Sequence, residues 1–121
     1  MKHFTRDEFK CPCCQREYMS QQFLDRLDYA RDVAGVPFLI DSGWRCKKHN
    51  KEVGGVDDSE HTTGEGADIR ATGSHTRFRI IYGAILAGFT RIGIGKTFVH
   101  LGGSFLHPQE VAWHYYTEDK K

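Results

Sequence analysis

The sequence predicts an α+β domain: a small antiparallel sheet with flanking helices. Three observations carry this reading. Apolar residues recur at three- and four-residue spacing in two stretches, several short runs alternate or are uniformly apolar between turn residues, and two of those runs are separated by Gly95-Lys96, a hairpin signal. The chain has 121 residues, 39% hydrophobic and 27% charged, which suits one core, so residues 1–121 are read as a single domain.

Residues 1–19 show no sustained period and read as an irregular, cysteine-bearing segment packed on the main body. From Ser20 the pattern changes. Phe23, Leu27, Ala30 and Ala34 form a helical stripe that Leu24 widens, with Ser20 as N-cap and Gly35 as the stop. Pro37-Phe38-Leu39-Ile40 reads as a short buried strand entering the turn-prone Asp41-Ser42-Gly43, which sets Trp44 and Arg45 at its mouth. Residues 47–66 carry four glycines among polar residues and read as a long loop, of a length that is usually functional or disordered, with one short helix around His49 to Val53. Ala67–Ala71 is strand-like, and Ser74 is placed as the cap of a second helix from about Thr76 to Ala87, with Phe78, Ile81, Ile85 and Leu86 facing inward. Arg91–Ile94 and Thr97–Leu101 form the hairpin, and Val111–Tyr116 is the last strand. Trp113, Tyr115 and the Phe23 face are read as core, and His3 and His75 as exposed.

Lys and Arg number 17 against 16 Asp and Glu, so a net charge of +1 gives no general pull toward nucleic acid or anionic lipid. The most apolar window, Ile80–Phe89, is interrupted by Gly83 and Gly88 and falls far short of the ~20 residues that span a bilayer. Charged residues appear before any apolar stretch at the N-terminus, so no secretion signal is expected and the product is expected in the cytoplasm. No membrane insertion, no nucleic-acid partner and a monomeric state are the corresponding expectations.

Ser59-Glu60-His61-Thr62-Thr63-Gly64-Glu65-Gly66-Ala67-Asp68 holds the chemistry. An imidazole in a glycine-containing loop and a carboxylate seven positions on can meet at one ion if the loop folds back. His100, between Val99 and Leu101 on an expected strand, is the candidate third ligand. Two His and one Asp leave the fourth zinc position open, as catalytic sites do.

Ser42-Gly43-Trp44-Arg45-Cys46, His49-Asn50, Val53-Gly54-Gly55, Ser59 to Asp68 and Phe98-Val99-His100, followed by Pro108-Gln109 and Trp113, together resemble the M15 zinc peptidases of the D-alanyl-D-alanine carboxypeptidase and phage endolysin type. The resemblance runs along nearly the whole chain and is closest to the small single-domain members, whose N-terminal segment carries a phenylalanine and cysteine cluster like Phe4 to Cys14. It implies the hedgehog/DD-peptidase-like fold, one catalytic Zn2+ on His61, Asp68 and His100, and Arg45 facing the substrate or its oxyanion. Ser59 and Trp44 are candidate substrate contacts, Ser59 alternatively supporting the His61 loop and Trp44 alternatively core. The implied activity is hydrolysis of an amide bond in peptidoglycan peptide stems, by an endolysin released by a holin or carried by a virion. Alternatives are a D,D-carboxypeptidase or dipeptidase acting on small cell-wall precursors, and a non-catalytic zinc-stabilised binding module.

The chain departs from the family in its general base. Relatives commonly have a carboxylate three residues before the third ligand or an aspartate two residues after it, whereas Thr97 and Gly102 stand there. Glu60, Glu65, His107 and His114 remain as candidates. Finally, Cys11-x-x-Cys14 and Cys46-x-x-His49 have the spacing of a second, structural metal site, with free thiols or a disulfide as the alternatives.

Overall fold

The computed structural model describes residues 1–116. A single 3-10 turn, Arg6–Phe9, precedes α1 (Gln21–Ala34), β1 (Ile40–Ser42), α2 (Lys47–Glu52), α3 (Glu60–Thr63), β2 (Gly66–Arg70), α4 (Ser74–Leu86), β3 (Arg91–Ile94), β4 (Phe98–Gly102) and β5 (Val111–His114). The strands form one sheet in the order β1-β2-β4-β3-β5. The hairpin at Gly95-Lys96 is present, closed by Gly95 N–H donating to the Phe98 carbonyl at 2.8 Å. All neighbours pair antiparallel except β3 with β5, which run parallel, so the sheet is mixed rather than wholly antiparallel. The reason is the path of residues 103–110, which return the chain to the start of β3; Val111 N–H then donates to the Thr90 carbonyl at 3.0 Å and β5 follows β3 in its own direction.

α1 forms where its stripe predicts. Ser20 Oγ accepts from Phe23 N–H at 3.3 Å, Gly35 closes the helix at a left-handed φ of 69°, and Phe23, Leu24, Leu27, Ala30 and Ala34 are buried. α4 starts at Ser74, with Gly73 rather than Ser74 in the cap position. Its buried face is Ile80, Gly83 and Ala84, while Phe78, Ile85 and Leu86 are exposed and Ile81 only partly covered, which corrects the expected inward face. The cause is steric: a Cβ at Gly83 would run into the Ala30 carbonyl, so α4 approaches α1 along its smallest residues. The strand at Phe38 begins only at Ile40, since Phe38 is buried but Leu39 is exposed.

Both long helices cover one sheet face, where Ala67, Ile69, Val99, Leu101 and Ile92 join the helix residues in the core. Side chains alternate across a strand, so Asp68 and His100, between those core residues, point to the opposite face. The N-terminal segment closes one end. Lys2 and His3 N–H donate to Asp28 at 3.0 and 2.8 Å, Arg6 pairs with Glu17 at 2.8 Å, and Phe4, Phe9 and Met19 are buried. His3, expected exposed, is half-buried with Nε2 2.6 Å from Asp32 Oδ1. Among the described residues no helix is long and apolar enough to cross a membrane.

Candidate metal centre

One row of paired residues crosses the whole sheet: Ser42 on β1, Asp68 on β2, His100 on β4, Gly93 on β3 and Trp113 on β5. The register therefore sets Asp68 directly beside His100, with His100 Nδ1 2.9 Å from Asp68 Oδ1. A Cβ at Gly93 would meet the Trp113 and Tyr115 rings at 2.7 Å, so glycine leaves room for Trp113 to lie beside His100, ring centroids 5.8 Å apart. His61 comes from α3. Ser59 Oγ accepts from His61 N–H at 3.2 Å as the cap of that short helix, which aims the imidazole at β2 and brings Nε2 to 3.2 Å from Asp68 Oδ1.

The donor set fits a zinc ion. His61 Nδ1–H donates to the Gly43 carbonyl at 2.7 Å, and His100 Nε2–H donates to Glu60 Oε1 at 3.0 Å. Each ring is thereby fixed with its other nitrogen toward Asp68, the arrangement that metal-ligating histidines use. One atom from each of His61, Asp68 and His100 lies within 4.8 Å of the others, and the 3.2 and 2.9 Å separations approach the ~3.3 Å edge of a tetrahedron with bonds of about 2.0 Å. Burial works against the Asp68 carboxylate, but hydrogen bonds and charge from His100 and His61 outweigh it and hold the group well below the usual range. His100 shifts up, because Asp68 and Glu60 together outweigh the burial that opposes its charge.

Glu60 was one of four candidates for the base, and its surroundings give it another task. It is 4% exposed; besides His100, its Oε2 accepts from Arg91 Nε at 2.9 Å and from Ser104 N–H at 3.1 Å. These partners lower its pKa despite burial. A Cβ at Gly102 would run into this carboxylate. The acidic group missing at position 102 thus enters the same space from α3, and glycine at 102 makes room for it. Of the other candidates, His107 lines the cleft, with Nδ1 2.9 Å from Ser104 Oγ and Nε2 2.9 Å from the Asp58 carbonyl, whereas Glu65 and His114 do not line it.

The centre opens into a cleft of about 460 Å³. Arg45 lies on its wall, with Nε donating to Ser42 Oγ at 3.1 Å, one terminal nitrogen to Asn50 Oδ1 at 3.2 Å and the other to Asp68 Oδ2 at 3.4 Å. Asn50, which sequence reasoning quoted in a motif without a role, is buried and also donates to the Val56 carbonyl at 2.8 Å, so it fixes both Arg45 and the loop. Ser59 lines the cleft while capping α3. Trp44 is not among the residues that line it: its Nε1–H donates to the Thr62 carbonyl at 3.1 Å, its ring meets Tyr18, and it packs, partly buried, against the core. Trp113 and Tyr115, expected as core, are instead cleft walls, Tyr115 being 49% exposed. The alternation of Trp113 and Tyr115 was visible, but only the parallel placement of β5 sets Trp113 beside His100, with Tyr115 following just past the strand.

The cysteines gather elsewhere. Cys11, Cys14 and Cys46 each bring a sulfur within 4.8 Å of the others, and His49 is not in that group, its Nδ1 lying 3.9 Å from Glu52 Oε1. All four cysteines are free.

A comparison with the curated proteins finds no match. A family model described as Peptidase M15 matches residues 2–102, a span that takes in His61, Asp68, His100, Arg45 and the cysteine-bearing N-terminal segment. With the motifs in their order and three metal-type donors converging in a cleft, this chain belongs to the M15 peptidases.

Proposed function

We propose that the protein is a zinc-dependent peptidase that cleaves an amide bond in the peptide stems of peptidoglycan, working as an endolysin. The observation that carries the reading is the convergence of His61 Nε2, Asp68 Oδ1 and His100 Nδ1 on one point of an open cleft with Arg45 beside it. His61, Asp68 and His100 would hold the ion, which when bound supplies Lewis acidity toward a carbonyl and toward water. Arg45, permanently charged and anchored by Ser42 and Asn50, orients a substrate carboxylate or carbonyl oxygen through its forked donors. Glu60 and the Gly43 carbonyl keep the two imidazoles turned toward the ion. His107 closes one side of the cleft, held by its Nε2–H donating to the Asp58 carbonyl at 2.9 Å.

Digestion of purified sacculi by zinc-loaded protein, with fragments read by mass spectrometry, tests the proposal. Release of stem-peptide fragments by the wild type and none by His61→Ala or Asp68→Ala, both still folded, is the expected result; fragment masses name the bond. Equal release by either variant would refute the centre. Zinc binding without release from sacculi would overturn the wall substrate and leave small precursors.

A further inference from the structure

Two distant stretches of chain bring thiols together away from the cleft. Cys11 and Cys14 stand on the turn after the first 3-10 helix, and Cys46 directly precedes α2. The sulfurs of Cys11 and Cys46 are 3.7 Å apart, and that distance discriminates between two chemistries. A disulfide needs about 2.05 Å. The edge of a tetrahedron with zinc–sulfur bonds of about 2.3 Å is about 3.8 Å.

The backbone around the sulfurs is arranged for thiolates. Cys46 N–H points at Cys11 Sγ at 3.5 Å, and His49 N–H points at Cys46 Sγ at 3.4 Å. The turn is closed by Cys11 N–H to the Arg16 carbonyl and Gln15 N–H to the Cys11 carbonyl, both at 2.8 Å, and Gln15 accepts a left-handed φ of 63° to complete it. A non-glycine residue in that region is uncommon and is held there by the surrounding turn.

We propose that Cys11, Cys14 and Cys46 form a second metal site, structural in role, for a thiophilic divalent cation of the zinc type, with water in the fourth position. Each thiol gives its proton to solvent as it becomes a ligand. Three thiolates select zinc over the hard cations magnesium and calcium. The site staples the N-terminal segment to the residue next to Arg45, where Trp44 N–H already donates to the Phe9 carbonyl at 2.9 Å. It stands independently of the reaction proposed above.

The test uses the full-length His61→Ala protein, in which the His/Asp centre lacks a donor. Titrated with Co2+, it should develop sulfur-to-cobalt charge-transfer absorption with the intensity of at least three thiolates, saturating at about one ion per chain and displaced by Zn2+. Adding Cys14→Ser should remove most of that absorption while far-UV circular dichroism stays unchanged. Zinc should raise the Tm of His61→Ala but not of the Cys14→Ser combination. Should Cys14→Ser fail to fold, thiol titration of the zinc-loaded His61→Ala protein replaces it: cysteines slow to react with zinc and fast after EDTA support the site. Absence of charge transfer, thiols equally reactive with and without zinc, or a Cys11–Cys46 disulfide in protein purified under reducing conditions would each overturn it.

Discussion

Glu60→Gln is the most informative single change, because the buried carboxylate serves donors only: His100 Nε2–H, Arg91 Nε–H and Ser104 N–H. An amide has one acceptor oxygen and one donor group. With its oxygen toward Arg91 and Ser104, its NH2 faces His100 Nε2, which must then give up its proton and move it to Nδ1, the nitrogen that faces Asp68. With its oxygen toward His100, its NH2 opposes the Arg91 and Ser104 donors. Either way Arg91, only 8% exposed, loses its counter-charge. Breaking a buried pair from one side costs about 3 kcal/mol, and at roughly 4 °C per kcal/mol for a chain of this size that is a fall in Tm of about 12 °C. Loss of the partner behind His100 should also weaken zinc about 10- to 100-fold. Thermal unfolding in EDTA reads the first number, and competition with a chromogenic chelator reads the second. A Glu60→Gln protein with zinc affinity and Tm both at the wild-type level would refute the account of Glu60 as the group that orients His100.

Gly102→Ala should act on the same carboxylate from the other side: its methyl group displaces Glu60, and overpacking of this kind costs about 1–3 kcal/mol with a parallel loss of zinc affinity, read by the same two assays. Acid should loosen the N-terminal segment. Burial raises Glu17 and Asp28, but Arg6 and the Met19 N–H hold Glu17 below its usual value of 4.5, and the Lys2 and His3 N–H groups hold Asp28 below 3.8. Stability from such depressed groups is complete above the unfolded values and is lost as pH falls through the folded ones, so amide exchange at His3 and Met19 should accelerate below about pH 4 and not between 6 and 8.

Where local pattern and packing agree, the sequence was a sufficient guide. Ser20, the Phe23 to Ala34 stripe and Gly35 define α1 because cap, face and stop are all local, and the Gly95-Lys96 hairpin is local too. The face of α4 was misread since apolarity marks what can be buried, while close approach to α1 is decided by what is small, namely Gly83 and Ala84. α3 is only four residues long and has no period to detect, although Ser59 as cap and Gly64 as stop were there to be seen. In the centre, His61, Asp68 and His100 were legible from spacing and resemblance. Their supports were not: the Gly43 carbonyl belongs to the backbone, and Glu60 reads as a free acid until Arg91 on β3 and Ser104 just after β4 arrive from distant parts of the chain.

The row from Ser42 to Trp113 has a consequence for how such a chain can change over generations. Asp68 and His100 belong to a ladder that runs unbroken from Gly66 opposite Gly102 to Arg70 opposite Phe98. Their spacing is therefore owned by the strand pairing, and the intervening connection through α4 and β3 contributes nothing to it directly. Length differences in the exposed Thr72-Gly73 approach to α4, or beyond Leu86 at Gly88, can accumulate without moving either donor. One residue inserted between Gly66 and Arg70 would turn Asp68 to the helix side and bring Ile69 or Ala67 into the cleft. Insertions and deletions should thus be plentiful around α4 and excluded from β2 and β4.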